Sequence, residues 1–571
     1  MFRVSQLRNA MWPAVVGVCL ALIIVSCDAL QTTHLFERGA VASSSPTASA
    51  IGVDVFRRGG NAFDAAVAVG FALAVTHPQA GNLGGGGFAV VYSADSGRVE
   101  ALDFRERAPL AATADMYLND SGEVVDRLST YGALASGVPG TVAGLYEMWK
   151  LHGTLPWEDL VGIAAALADT GFVVDELLAA DLAENARDMT GFTSTAAAYY
   201  PGGNAPVAGE SLVLKDLGTT LYSIAAEGPD AFYTGTIADR IVTCMQQHGG
   251  IITAEDLAAY RPVWRDPIHF SFDSLDVYTM SPPSSGGIVV GQILKLLEPY
   301  DFSTYRPESP EYIHLFCEAS RLAFADRAEH LGDPDFWPVP DSLLSGNYLA
   351  GRRDLISRNA AGTSSSVKAG NPGARESEET THFSVCDADG NMVAITTTLN
   401  GSFGNMLVVD SAGFLLNNEM DDFSIKAGYA NLYGLVGGEA NKIEPGKRML
   451  SSMAPTLVFR EGRPYLNLGS PGGSKIITTV AQAVINFTRF GLSAEETVAR
   501  PRFHHQWLPD MLYMERDDYT FDITVKQALI RFGHGIEERH PWGDLQIIHV
   551  DPSGLLTGAS DPRRGGACLG Y

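Results

Sequence analysis

The stretch EETTHFSVCDADGN, residues 378–391, places a threonine pair at the head of an alternating run. A threonine hydroxyl is a weak nucleophile until a base takes its proton. If the bond between Glu379 and Thr380 were cut, the freed α-amino group of Thr380 would supply that base, with an ordinary pKa of about 8. Residues 380–387 alternate, Asp389-Gly390 offers a turn, and residues 391–399 alternate again, which predicts a β-hairpin. A turn of about three residues makes facing residue numbers add to roughly 778, setting Thr398 beside Thr380. A slip of one residue would move Thr398 to the other face. Threonines also suit an ordinary strand, so the stretch by itself leaves both readings open.

Other polar groups are equally ambiguous when taken singly. Arg105 reads as a solvated or ion-paired surface residue. Ser451-Ser452 reads as a turn and residues 419–422 (Glu-Met-Asp-Asp) as a polar loop, while Asn400-Gly-Ser matches a glycosylation sequon. His504-His505 are adjacent and lack the spacing of metal ligands, so they read as structural. The run Gly84–Gly87 has no phosphate-loop context and predicts tight backbone packing.

The elements that must position these groups are legible from caps and periodicity. Ser45 caps and Pro46 opens a helix that Gly59-Gly60 ends; a second helix, apolar on nearly every face, runs to Pro78. A third is predicted from Tyr312 to His330, with Ile313, Phe316, Cys317, Ser320, Ala323 and Phe324 on one face. Beyond Thr380 the texture turns to strands (THFSVCD, NMVAITTTL, PTLVFR, PYLNLGS) and a helix-like SKIITTVAQAVINF. No internal repeat is visible. The strip from Arg358 to Glu379 is small, polar and aperiodic, yet the strands after it are too few to bury their own faces. The two halves therefore share one core.

The chain has 571 residues, 46% of them hydrophobic, and can bury a large core. Acidic residues outnumber basic ones 66 to 40, for a formal charge of −26, which disfavours nucleic acid and anionic membrane as partners. Arg3 and Arg8 precede an apolar run from about Met11 to Val25, the pattern of an export signal and too short for a comfortable membrane span. Of six cysteines, Cys19 and Cys27 fall in this leader. Cys244, Cys317, Cys386 and Cys568 are far apart and read as isolated thiols, with one disulfide left open.

Long motifs in one order change the weight of these fragments: NLGGGGF (82–88), DFRERAP (103–109), SPPSSGG (281–287), TTHFSV (380–385), LLNNEMDDFS (415–424), YGLVGGEAN (433–441), KRMLSSMAPT (447–456), GSPGGS (469–474) and PRFHHQWLP (501–509). With them the chain closely resembles the γ-glutamyltranspeptidases, which are N-terminal-nucleophile hydrolases. The resemblance runs from about Ala40 to the final Gly-Tyr. It implies an α+β fold, the four-layer αββα sandwich with two antiparallel sheets between helical layers. It implies self-cleavage before Thr380, giving a large subunit 27–379 and a small subunit 380–571. Thr380 matches the nucleophile, Thr398 its supporting hydroxyl, and Gly472 and Gly473 the oxyanion donors. Arg105, Ser451 and Ser452 match the site for the substrate α-carboxylate; Asn400, Glu419 and Asp422 match the site for its α-ammonium.

The resemblance further implies that 426–445 is a lid over the substrate, with Tyr433 facing Asn400. The expected donors are glutathione and other γ-glutamyl compounds, and the acceptors are water, amino acids or peptides. No metal or cofactor is implied. Ile-Val-Ser-Cys27 resembles the lipobox of bacterial lipoproteins, so residues 1–26 are expected to be removed and Cys27 lipidated, leaving the protein periplasmic or at the cell surface. Within the same family a glutaryl or cephalosporin acylase is the alternative, and outside enzymes a processed, inactive peptide-binding lipoprotein.

Overall fold

The structure, a computed structural model, describes residues 35–367, 380–426 and 428–571. The leader with Cys27, and Glu379, lie outside the described residues. Five strands of the first sheet are, in chain order, β1 (Gly39–Ser43), β2 (Gly86–Ser93), β3 (Arg98–Phe104), β4 (Thr381–Asp387) and β5 (Met392–Thr398). Across the sheet the order is Ala567–Gly570, β1, β4, β5, β2, β3, Val263–Arg265. A second sheet runs Leu556–Ser560, Gln546–Val550, Arg463–Gly469, Thr456–Arg460, Leu275–Thr279, Ile268–Phe272. Neighbours in both sheets are antiparallel.

Strand alternation divides the core in two. Phe383, Val385, Val393 and Ile395 point into a cluster shared with α1 (Pro46–Arg57) and α2 (Ala62–Thr76). Their neighbours Cys386, Met392 and Ala394 point the other way, against Leu457, Leu466 and Leu468 of the second sheet. That sheet is covered in turn by α3 (Gly286–Leu297), α4 (Pro310–His330) and α5 (Lys475–Thr488). Helices, sheet, sheet, helices is the expected four-layer sandwich. Each Phe or Leu buried in these layers contributes about 1.5–3 kcal/mol.

Local signals set the elements as the residues predict. The Ser45 side chain accepts the Ala48 N–H, and Asn61 with Asp64 forms a capping box at the start of α2, all of whose residues are buried. The hairpin register is the one the three-residue turn requires: Met392 faces Cys386 and Thr397 faces Thr381. Gly390 takes φ 90°, and Asp387 accepts the N–H groups of Asp389 and Asn391 at 3.0 and 2.9 Å. The other Asp387 oxygen accepts Ala62 N–H at 2.8 Å, so the turn is fastened to the head of α2.

Two expectations change. The helix from Tyr312 to His330 does not bury a single face: α4 is buried on all sides from Tyr312 to Arg327, including Glu318, Arg321, Asp326 and Arg327. Three of these charges are matched by ion pairs inside the protein, Arg321 with Glu318 at 3.2 Å and Asp326 with Arg352 at 2.6 Å, while Arg327 donates to the hydroxyls of Ser285 and Ser452. The polar strip is likewise tied down over its described residues, 358–367. Ala361 N–H bonds Phe532 O at 2.6 Å, Gly362 N–H bonds Glu318 at 2.9 Å and Ser364 N–H bonds Asp510 at 2.7 Å. Small polar residues carry no periodicity, and their partners here are long-range. Cys244, Cys317 and Cys386 are buried free thiols, and Cys568 is a half-buried one.

Candidate active site

Thr380 lies immediately before β4 and is almost fully buried. Its Oγ1 accepts the Gly472 N–H at 3.0 Å. Gly472 and Gly473 sit in the turn between the Arg463–Gly469 strand and α5, with φ of 128° and 53°, conformations open to glycine without strain. A side-chain carbon on Gly473 would also meet the Tyr433 ring at 2.3 Å. The turn thus brings a backbone N–H onto the threonine hydroxyl.

Thr398 ends β5, in the register that continues the pair Thr397–Thr381, and lines the same cavity as Thr380. Its Oγ1 accepts the Asn400 N–H at 2.7 Å, and its carbonyl accepts Asn82 Nδ2–H at 2.8 Å. Gly85 approaches that carbonyl so closely that a β-carbon would lie 2.0 Å from it. The glycine run therefore serves backbone packing around Thr398.

The cavity is also lined by Arg105, Asn400, Glu419, Asp422, Tyr433, Ser451, Ser452 and Gly473. Arg105 is 1% exposed, which removes the surface reading. Its Nη1 lies 2.7 Å from Glu419 and its Nη2 donates to Asp422 at 2.5 Å. Burial opposes the Arg105 charge, but the neighbouring Glu419 and Asp422 carboxylates more than offset it and hold the pKa above its usual value. Burial raises the pKa of both acids, while Arg105 pulls them back. Asn400 has φ 75°, donates Nδ2–H to Asn418 O at 3.0 Å, and leaves its buried Oδ1 without a hydrogen-bond partner among the described residues. One fixed cation, two acids and a spare amide oxygen suit a ligand that carries both a carboxylate and an ammonium.

Two serines complete this pocket. Ser451 Oγ accepts Met453 N–H at 3.1 Å, and Ser451 O accepts both Ser285 N–H and Ser285 Oγ–H at 2.8 and 2.6 Å. Over the site lies the 426–445 segment. The Tyr433 hydroxyl donates to Asn400 O, Asn431 Nδ2–H donates to Asp422 at 2.8 Å and Leu432 N–H to Asp421 at 2.7 Å. His504 is buried between Thr478 Oγ1 and Gln506 Oε1, 2.8 Å from each, and burial holds its pKa well below the usual value. His505 lies 3.3 Å from Asp510.

Sequence reasoning missed three neighbours. Glu106, next to Arg105 in DFRERAP, is fully buried, 3.5 Å from Arg105 Nη1, and pushed up to about 7 by burial. Asp421 joins the lid to Ser129, whose hydroxyl donates to it at 2.8 Å, and is pushed up to about 7 by burial. Arg327 reaches Ser452 from α4. An acid beside a site residue was a usable signal for the first two; nothing local marked the third.

Against known proteins, the family model described as gamma-glutamyltranspeptidase matches residues 48–571. The glutathione hydrolase proenzyme of Escherichia coli is 48% identical over 92% of this chain and 90% of its own. That of Pseudomonas aeruginosa is 44% identical over 96% of this chain and 97% of its own. Among solved structures, a cephalosporin acylase from Bacillus halodurans superposes with a TM-score of 0.83 at 29% identity, covering 94% of this chain and 96% of its own.

Proposed function

This chain belongs to the gamma-glutamyltranspeptidase family, and from that premise we propose how its pocket carries out the family's reaction. The enzyme is a self-processing γ-glutamyl hydrolase and transferase that acts on glutathione and related γ-glutamyl amides. The observation that carries the mechanism is the Thr380 hydroxyl held by the Gly472 N–H beside a pocket that pairs Arg105 with Glu419 and Asp422.

In the first act, Thr380 Oγ attacks the Glu379 carbonyl and the peptide bond becomes an ester. Water hydrolyses that ester, leaving Glu379 as a chain end and Thr380 with a free α-amine. The large subunit is 27–379 and the small one 380–571. In the second act that amine takes the hydroxyl proton as Oγ attacks the γ-carbonyl of the donor. Gly472 and Gly473 N–H groups receive the oxyanion, the proton passes to the leaving amine, and a γ-glutamyl ester remains on Thr380. Water or the amine of an amino acid or peptide then takes the acyl group. Thr398, fixed by Asn400 N–H, orients the nucleophile.

The donor's α-carboxylate replaces the two acids on Arg105 and is met by Ser451 and Ser452. Its α-ammonium takes Glu419, Asp422 and the unpartnered Asn400 Oδ1. A glutaryl group has no ammonium and would leave those acids unpaired, so the acylase reading fits this pocket less well. Comparing γ-glutamyl and glutaryl anilides tests this: the account expects a preference of at least about 100-fold in kcat/KM for γ-glutamyl. Equal turnover would contradict it. The enzyme is exported and tethered through lipid on Cys27, as supported by Arg3, Arg8 and the Ile-Val-Ser-Cys27 ending. Among the described residues no helix is long and apolar enough to cross a membrane.

A further inference from the structure

Arg327 is a second buried guanidinium at the pocket. It extends from the last turn of α4 and is 5% exposed. Its Nε donates to Ser285 Oγ at 2.9 Å, and its Nη2 to Ser452 Oγ at 3.3 Å. Among the described residues no carboxylate oxygen lies within ion-pairing distance of it. Burial lowers its pKa to about 10, and the more distant Asp422 charge partly opposes the shift. A buried cation with only hydroxyl partners is expensive to keep unless something anionic arrives to meet it.

Hydrogen-bond direction shows what Arg327 does to its partners. A guanidinium has donors and no acceptor. Ser452 Oγ must therefore accept from Arg327, and the serine's own proton has to point elsewhere. Ser285 Oγ accepts Nε–H in the same way and spends its proton on Ser451 O, 2.6 Å away. Ser451 Oγ accepts Met453 N–H, which frees the Ser451 proton too. Both serines are thereby presented to the cavity as donors, and a carboxylate is an acceptor-only group.

We propose that Arg327 is a positioning residue for donor selection: it polarises Ser452 toward the substrate α-carboxylate and supplies the pocket's second positive charge. The proposal rests on the reading of Ser451 and Ser452 as the α-carboxylate site. Arg105 is already paired with two acids, Glu419 and Asp422. Arg327 keeps a net attraction for the incoming carboxylate that Arg105, so paired, does not provide.

The test is a double-mutant cycle on γ-glutamyl anilide hydrolysis, with self-cleavage and apparent Tm followed in every variant. Arg327→Gln is expected to raise KM about tenfold while kcat stays within about twofold, as for loss of one hydrogen bond to a charged group. Ser452→Ala should raise KM by a similar factor, and the double variant should lose clearly less than the product of the two single losses. Arg327→Lys, which keeps the charge but cannot bridge two serines, should recover part of the loss. It also serves as the second arm of the cycle if Arg327→Gln fails to mature. Fully multiplicative KM penalties, or a fall in kcat with KM unchanged, would overturn the role of Arg327. If Ser452→Ala and Arg105→Ala both leave KM unchanged, the carboxylate reading itself fails. If they raise it and Arg327→Gln does not, only this inference fails.

Discussion

The Arg105 guanidinium lies 2.7 Å from the Glu419 carboxylate, so the groups assigned to opposite ends of the substrate are paired with each other. Removing one partner strands the other. Arg105→Ala should raise KM by about 100-fold or more and lower stability by about 3–5 kcal/mol, because Glu419 is then left as a buried, uncompensated charge. Adding Glu419→Gln should recover part of the stability and none of the activity. Thermal unfolding and steady-state kinetics on the single and double variants check this; a second substitution that lowers stability further would contradict it.

Thr398→Ala removes the acceptor of the Asn400 N–H and should slow both self-cleavage and turnover, by about 10–100-fold. Thr398→Ser keeps the oxygen and should retain most of both rates. Gel densitometry of processing against time, with anilide turnover on matured protein, reads the two effects. Unchanged rates in the alanine variant would detach Thr398 from the nucleophile.

Tyr433→Phe deletes the hydroxyl that ties the lid to the Asn400 carbonyl. KM should rise about three- to tenfold with kcat little changed, since the bond closes the pocket and takes no part in chemistry. Gly473→Ala is the more severe change at the same contact. Its new carbon would enter the Tyr433 ring and its φ of 53° disfavours a side chain, so kcat should fall about 100-fold.

Asp421 gives a pH prediction of definite sign. Burial pushes its carboxyl up to about 7, so between pH 4 and 7 the folded chain keeps a proton that the unfolded chain releases. Its contribution to stability therefore declines as pH rises through that window, by about 2–4 kcal/mol in all. Asp421→Asn abolishes this titration. Its apparent Tm should fall less from pH 4 to pH 7 than that of the parent chain. Parallel profiles would show that Asp421 does not titrate there.

How much of this was legible depended on the range of each interaction. Ser45-Pro46, the Asp389-Gly390 turn and the alternation on either side of it act over a few residues, and they set α1, the hairpin and the place of Thr398 beside Thr380. The charge pairing was not legible, because Arg105 meets Glu419 and Asp422 from more than 300 residues away along the chain. For the same reason α4 looked one-sided: its buried Glu318, Arg321 and Asp326 are matched by groups that no helical period reveals. The aperiodic strip hid its anchors at Glu318, Asp510 and Phe532 in the same way. Arg327 was invisible from sequence, since a lone arginine in a helix's last turn ordinarily caps carbonyls or faces solvent.

The central claim is that Thr380 becomes a chain terminus and then the nucleophile. Intact-mass measurement of the purified wild-type and Thr380→Ala proteins tests it most directly. The account predicts two chains from the wild type, the smaller beginning at Thr380, and one uncut, inactive chain from the variant. A Thr380→Ala protein that still splits at this bond, or an active wild type that remains a single chain, would contradict it.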